Sequence, residues 1–150
     1  MSDHAQLERL FSELDRVHRD EAPWLLQKPD RDPRPPEWLQ RLLANPGSTL
    51  FVAEAGTCVG LATVDLREAP RFEAFIRQQH AVIDDLIVHP DWRRRGVARR
   101  LYESCEKWAR ERKASWVEVN VYQFNAEACD FYASVGFKTI MRKLRKPFAE

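Results

Sequence analysis

The spacing of hydrophobic positions changes period several times along the chain, and each change marks an element. Leu7, Leu10, Phe11, Leu14, Val17 and His18 recur at three- and four-residue steps, the stripe of an amphipathic helix. Asp3 and Gln6 before it have the spacing of a capping box, and the helix is expected to end near residues 20–23. Pro23, Pro29, Pro33 and Pro35 punctuate an irregular loop over 23–35, in which Trp24, Leu25 and Leu26 are placed to cover a pocket. Pro36 suits the first turn of a second helix over 37–44, which Asn45-Pro46-Gly47 stops. The runs 49–54 and 58–66 then read as strands joined by a glycine-containing turn, a β-hairpin, and 67–79 as a polar connector.

The chain is organised around residues 81–101, AVIDDLIVHPDWRRRGVARRL. Its first part, 81–88, is aliphatic and β-branched and predicts a buried strand, which Pro90 prevents from continuing. Ala98, Leu101, Tyr102, Cys105, Trp108 and Ala109 then mark the apolar face of a helix running to about Lys113. Residues 115–122 predict another strand, with Val117, Val119 and Val121 on one face and Trp116, Glu118, Asn120 and Tyr122 on the other. Asn125 is placed to cap a last helix, whose inner side carries Ala128, Phe131, Tyr132 and Val135. Gly136 fits the left-handed position that ends it, and 137–144 reads as a final strand. The 81–122 unit predicts a right-handed crossover between strands of one sheet.

Two features of the central stretch suggest chemistry. A glycine at a helix start lets a ligand approach the backbone, and the unpaired N–H groups of the first turn favour an anion. Arg93, Arg94 and Arg95 before Gly96, with Arg99 and Arg100 after it, add positive charge. The second feature is Asp84-Asp85 inside an apolar strand, where carboxylates are costly unless paired or used. Strict alternation directs the two to opposite faces; only a bulge brings them to one.

At 150 residues, 44% of them hydrophobic and 31% charged, the chain is expected to form one domain over 1–150 with a substantial core. A net charge of +1 argues against a general nucleic-acid binder and makes the arginines near 93–100 a local patch. No apolar run approaches the length of about 20 residues that a membrane span needs, and the polar, acidic N-terminus does not read as a signal peptide. Cys58, Cys105 and Cys129 are odd in number and widely spaced, which suits free thiols in a reducing cytoplasm. His4, His18, His80 and His89 lack metal-ligand spacing, so no metal is expected. His18 reads as a core histidine, and Trp24, Trp38 and Trp92 as packing residues.

These residues resemble the GNAT superfamily of acyl-CoA-dependent N-acetyltransferases. Arg93-Arg94-Arg95-Gly96-Val97-Ala98 is similar to the family's R/Q-x-x-G-x-G/A pyrophosphate loop and follows a strand ending DLIV. Asn125, Ala128, Phe131, Tyr132, Gly136 and Phe137 match N-x-x-A-x-x-F-Y-x-x-x-G-F. The first motif alone is weak; the two together, with a strand between, are specific. The likeness is good over 49–144 and looser over the N-terminal helices. It implies an α/β (α+β type) GNAT fold, a central twisted mixed sheet of about six strands flanked by about four helices. The family begins with a strand before its first helix, and none is seen here, so that strand is expected to be missing or abbreviated.

The resemblance also implies roles. Backbone N–H groups of Arg94, Arg95, Gly96, Val97, Ala98 and Arg99 would hold the pyrophosphate of acetyl-CoA, and the arginine side chains, Arg93 among them, would offset the charge on its phosphates. Leu86, Ile87 and Val88 would pair with the pantetheine arm, and Asn125 would contact it. Tyr132 would protonate the departing thiolate, and Asp84 would take the proton from the acceptor amine, with Asp85 in reserve and Glu118 a further candidate. The implied activity is direct acetyl transfer from acetyl-CoA to a primary amine of a small molecule (polyamine-, amino-acid- or aminoglycoside-like) or peptide, in the cytoplasm. A non-catalytic acyl-CoA sensor is the alternative, and a nucleic-acid module using Arg93–Arg100 and the basic tail is a third reading, disfavoured by the near-neutral charge. The family often dimerises, which makes a homodimer one candidate assembly.

Overall fold

The structure, a computed structural model, describes residues 3–148. They fall into two compact units, one ending at Asn120 and one beginning at Val121. The first contains α1 (Asp3–Glu21), α2 (Pro36–Ala44), β1 (Ser48–Glu54), β2 (Cys58–Glu68), β3 (Gln79–Val88), α3 (Val97–Glu111) and β4 (Val117–Val119), with a short 3-10 turn at Pro90–Trp92. The second contains α4 (Ala126–Ser134). No described helix is long and apolar enough to cross a membrane.

The sheet has the order β1-β2-β3-β4. The first two pairings are antiparallel, and β3 pairs parallel to β4 with α3 as the crossover. Adjacent residues of β2 show how both faces are covered. Leu61 is fully buried among Leu7, Leu10 and Phe11 of α1, with Trp38 and Leu39 of α2 packed against the same cluster. Gly60 faces the other way, and a Cβ there would lie 3.1 Å from Leu101 Cδ1 and 3.2 Å from Val97 Cγ1 of α3. The missing side chain is what lets α3 lie close on the strand.

The predicted helices are present with small shifts. Pro36 occupies the first turn of α2, and α3 buries Val97, Leu101, Tyr102, Cys105, Trp108 and Ala109. The capping box does not form. Asp3 is already helical, and the Gln6 side chain instead accepts from Cys58 N–H at 2.7 Å and from the Thr57 hydroxyl at 2.8 Å, tying α1 to the start of β2.

The sheet has four strands rather than about six. The predicted strand 115–122 contracts to Val117–Val119, because its ladder with β3 ends at Ile83, immediately before a bulge. The run 137–144 forms no strand in the described structure, and Ile140, Met141 and Leu144 in it are exposed. β-propensity expresses itself only where a strand has neighbours to pair and pack with.

Candidate functional site

The bulge in β3 decides where the two central carboxylates point. Thr63 pairs with Asp85 and the next residue, Val64, pairs with Ile83, so Asp84 is the extra residue. Thr63, Asp65 and Arg67 alternate along β2 and share a face. Asp85 Oδ2 accepts from the Thr63 hydroxyl at 2.7 Å, while both oxygens of Asp84 accept from Arg67 Nη2 at 2.8 and 2.9 Å. Asp84 and Asp85 therefore face the same side. The expectation that Asp85 turns away fails because the extra residue resets the alternation.

That side is the one covered by α1. Arg34, from the loop after α1, bonds Asp15 of α1 through both terminal nitrogens at 2.8 and 3.2 Å, lies 3.8 Å from Asp85 Oδ1, and sits 4.3 Å from the centre of the Phe11 ring. Burial raises the Asp85 carboxyl above its ordinary range, opposed by the Thr63 hydrogen bond and the Arg34 charge. Burial also drives Asp84 up, to about 6, helped by the neighbouring Asp65 carboxyl and opposed by Arg67. His18 is lowered by burial, against the pull of Asp15 and Asp85.

Glu118 is engaged elsewhere. Its Oε2 accepts from the Trp116 indole N–H at 3.0 Å, and its Oε1 lies 3.2 Å from His80 Nε2, whose ring stacks on Trp116 at 4.9 Å.

Past the bulge, β3 runs on without β4. The ladder comprises Ala81–Val117, Val82–Glu118 and Ile83–Val119. Among the described residues no strand pairs with 84–88 on that side. The His89 N–H donates to Val59 O on β2, so alternation sends the Ile87 N–H to β2 and leaves those of Leu86 and Val88 on the open edge. Arg93 Nε donates to Val88 O at 3.1 Å and ties the following loop to the end of that edge.

The loop itself has the geometry of an anion cradle. Arg94 has φ 61° and Gly96 φ 77°, two left-handed residues in one short turn. A Cβ at Gly96 would meet nothing nearer than 4.0 Å, so glycine is required there by conformation and not by space. The first helical bond of α3 is Arg100 N–H to Gly96 O, which leaves the N–H groups of Val97, Ala98 and Arg99 without partners inside the helix. Arg100 turns back onto Arg95 O, and Arg95 stacks over Trp92 at 5.0 Å, so part of the basic cluster stiffens the turn.

In the second unit, Asn125 caps α4 by accepting from the Ala128 N–H at 3.1 Å. Ala128, Phe131, Tyr132 and Val135 are half-buried, and Gly136 has φ 100°, as the left-handed end of α4 requires. The Tyr132 ring stands edge-on to Phe131 and to Phe137, each at 5.3 Å, and Tyr132 O accepts from the Phe137 N–H at 3.0 Å. These contacts make one local cluster of the second motif.

The structure thus adds Asp15, Arg34, Thr63, Asp65 and Arg67 to the residues singled out by sequence. A signal for the last three was present: polar residues at every second position of an otherwise apolar run. Nothing local links Asp15 to Arg34, since their contact spans a proline-rich loop.

A mixed sheet opened beyond a short parallel ladder, with a glycine-started helix after the open strand, is the architecture of acyl-CoA-dependent transferases. The model of the acetyltransferase (GNAT) family matches residues 8–137, and the chain belongs to that family. No curated protein sequence matches it. Among solved structures, the tetramutant of the BH1408 protein from Bacillus halodurans superposes with a TM-score of 0.89 at 22% identity, covering 97% of this chain and 94% of that one. Aminoglycoside N-acetyltransferase AAC(6')-Iy in complex with CoA gives 0.71 at 18% identity, over 95% and 86%. The aminoglycoside acetyltransferase meta-AAC0020 from an uncultured soil metagenomic sample, in complex with sisomicin, gives 0.69 at 24% identity, over 98% and 88%. At these identities the likeness is one of fold.

Proposed function

We propose that this protein transfers the acetyl group of acetyl-CoA directly to a primary amine, acting as a single catalytic domain. The observation that carries the reading is the bulge: it sets an ionisable carboxyl, Asp84, directly beside the open edge of β3 that ends in the anion cradle. The cradle fits the donor's pyrophosphate, with the N–H groups of Val97, Ala98 and Arg99 as ligands and Arg93, Arg94 and Arg95 as counter-charge. The N–H groups of Leu86 and Val88 suit an extended amide-bearing arm, which adds like a strand along Leu86, Ile87 and Val88. One of them also polarises the thioester carbonyl.

Asp84 takes the proton that the acceptor ammonium must lose, since ammonium has no lone pair with which to attack. A carboxyl raised to about 6 is better matched to that task than an ordinary aspartate. The amine nitrogen then bonds to the acyl carbon as the carbon–sulfur bond breaks, the Tyr132 hydroxyl gives its proton to the leaving thiolate, and the second proton that the nitrogen sheds on becoming an amide restores the Tyr132 hydroxyl, directly or through water. Tyr132 and Asn125 enter on the strength of the motif they share. Asp15, Asp65, Asp84 and Asp85 on one face favour a cationic acceptor, of polyamine, amino-acid, aminoglycoside or peptide-terminus type.

The Arg67–Asp84 ion pair favours the second reading, an acyl-CoA sensor, since it occupies the base. Thiol release from acetyl-CoA separates the two, measured with spermidine, L-lysine, sisomicin and a short peptide bearing a free N-terminus. An amine-dependent release supports transfer. Tight acetyl-CoA binding with no stimulation by any amine leaves the sensor.

A further inference from the structure

One nitrogen of Arg67 already sits where an acceptor nitrogen would. Its Nη2 lies between the two oxygens of Asp84, at 2.8 and 2.9 Å. A primary ammonium bound to the same carboxylate would place its own nitrogen there, at similar distances. The register shows how the side chain arrives. Arg67 is opposite His80 and Asp65 is opposite Val82, on the shared face of β2, and Asp84 lies further along β3 than both. The guanidinium thus reaches past Asp65 to Asp84, and Nη2 stands 3.9 Å from Asp65 Oδ2.

We propose that Arg67 is a displaceable stand-in for the acceptor: its guanidinium occupies the ammonium seat on Asp84 until a cationic amine takes its place, and Asp65 is the carboxylate onto which it withdraws. This rests on the reading of Asp84 as the group that deprotonates the acceptor, and it specifies the amine that reaches it. The exchange is cation for cation. Asp84 is never left bare, and the arriving amine must itself carry charge, as an alkylammonium does at neutral pH. The Arg67–Asp84 pair is then the resting contact of an enzyme, broken in each turnover.

The surroundings favour movement of this arginine. Arg34, also on this face, is pinned to Asp15 through both terminal nitrogens, lies over the Phe11 ring, and has a side chain only 21% exposed. The Arg67 side chain is 47% exposed and that of Asp84 37%. An ion pair so open to water is weak, so exchanging its cation costs little. Asp85 is committed to the Thr63 hydroxyl, and Glu118 to His80 and the Trp116 indole. Asp65 is the carboxylate in reach of a guanidinium that draws back along β2.

Arg67→Met keeps the apolar stem of the side chain and empties the seat. Amine binding is measured calorimetrically on the full chain in excess coenzyme A, which has no acetyl group to transfer, with the four amines above. At pH 8 Asp84 is ionised, and an ordinary alkylamine still holds its proton. The tightest of the four should bind Arg67→Met about three- to fivefold more tightly than wild type, the scale of one exposed ion pair. With acetyl-CoA, kcat/KM should rise by the same factor. Asp65→Asn removes the place of withdrawal and should weaken binding about threefold, yet should have little effect when combined with Arg67→Met. Amide spectra check that each variant folds, and Arg67→Gln replaces Arg67→Met if that protein does not.

Equal or weaker amine binding on loss of the Arg67 charge overturns the proposal. So does a failure of all four amines to bind either protein. If Asp65→Asn weakens binding equally with and without Arg67, the two residues act only as separate charges, and the exchange is overturned. If the affinities move as stated while no amine releases thiol from acetyl-CoA, the exchange at Asp84 stands and the transfer reading falls.

Discussion

Thr63 and Asp85 exchange two hydrogen bonds across the bulge: the Thr63 hydroxyl donates to Asp85 Oδ2 at 2.7 Å and accepts from the Asp85 N–H at 3.1 Å. One buried hydroxyl thus satisfies a main-chain donor that the broken ladder would strand, and a carboxylate that burial penalises. Thr63→Val keeps the shape and removes both bonds. It should cost about 1–3 kcal/mol of stability, the penalty for buried polar groups left unpaired. Thr63→Ser should recover most of the loss. Urea unfolding at neutral pH checks this, and equal midpoints for the valine and wild-type proteins would show that the exchange does not hold the bulge.

The raised Asp84 carboxyl makes a signed prediction for stability against pH. Its folded value, about 6, lies above the ordinary 3.8, so the native state binds more of its proton than the unfolded chain between those values. Its contribution is fully present below the lower value and is lost as pH rises through the higher one. Asp84→Asn removes that dependence. The stability of wild type relative to Asp84→Asn should therefore fall as pH increases from 4 to 6 and level off above. A difference that stays constant across this window would mean that the carboxyl titrates normally.

Close approach of α3 to the sheet depends on Gly60. A methyl group there meets the Ile87 carbonyl oxygen and the Leu101 side chain at 3.1 Å each. The carbonyl belongs to the main chain and cannot rotate aside, so Gly60→Ala should lower stability by about 1–3 kcal/mol, as overpacking does. It should also displace the start of α3 and weaken binding of coenzyme A. Calorimetric unfolding and a binding titration read the two effects separately, and an unshifted Tm would place the contact at a more tolerant spot.

At Gly96 the two obvious substitutions should part company. Gly96→Ala adds little bulk and only has to bear the left-handed backbone, a cost of about 1–2 kcal/mol. Gly96→Glu carries the same backbone cost and puts a negative side chain where the phosphates are proposed to bind. Coenzyme A affinity should drop several-fold in the first and vanish in the second. Comparable titrations for both would point to the backbone alone.

For Tyr132, replacement by Phe keeps the edge-on contacts with Phe131 and Phe137 and deletes the hydroxyl. Turnover should fall by about a hundredfold or more, in line with general acid catalysis, with the Kd of coenzyme A nearly unchanged. Turnover at the wild-type level would release Tyr132 from the role.

Much of this was visible in the residues themselves. Gly136 is left-handed and Asn125 caps its helix, as their places in the pattern require. Caps and turns are local chemistry, so they can be read locally. The orientation of Asp85 could not be, because it depends on an extra residue in the pairing between β3 and β2. Gln6 likewise had a sound local role, yet it bonds Thr57 and Cys58, far away in sequence. The run 137–144 has strand-like residues, but propensity alone does not supply a partner.

The open edge of β3 beyond Ile83 has a consequence for handling the protein. Bare strand edges are templates on which another copy can add a strand and begin to aggregate. This one is guarded at its two ends, by the charge of Asp84 and by the Arg93 side chain on Val88 O, which leaves a short gap between. Any molecule lying along the gap shields it from neighbouring chains. The ligand-free form should accordingly be the first to clump on concentration, and coenzyme A in the buffer should act as a colloidal stabiliser.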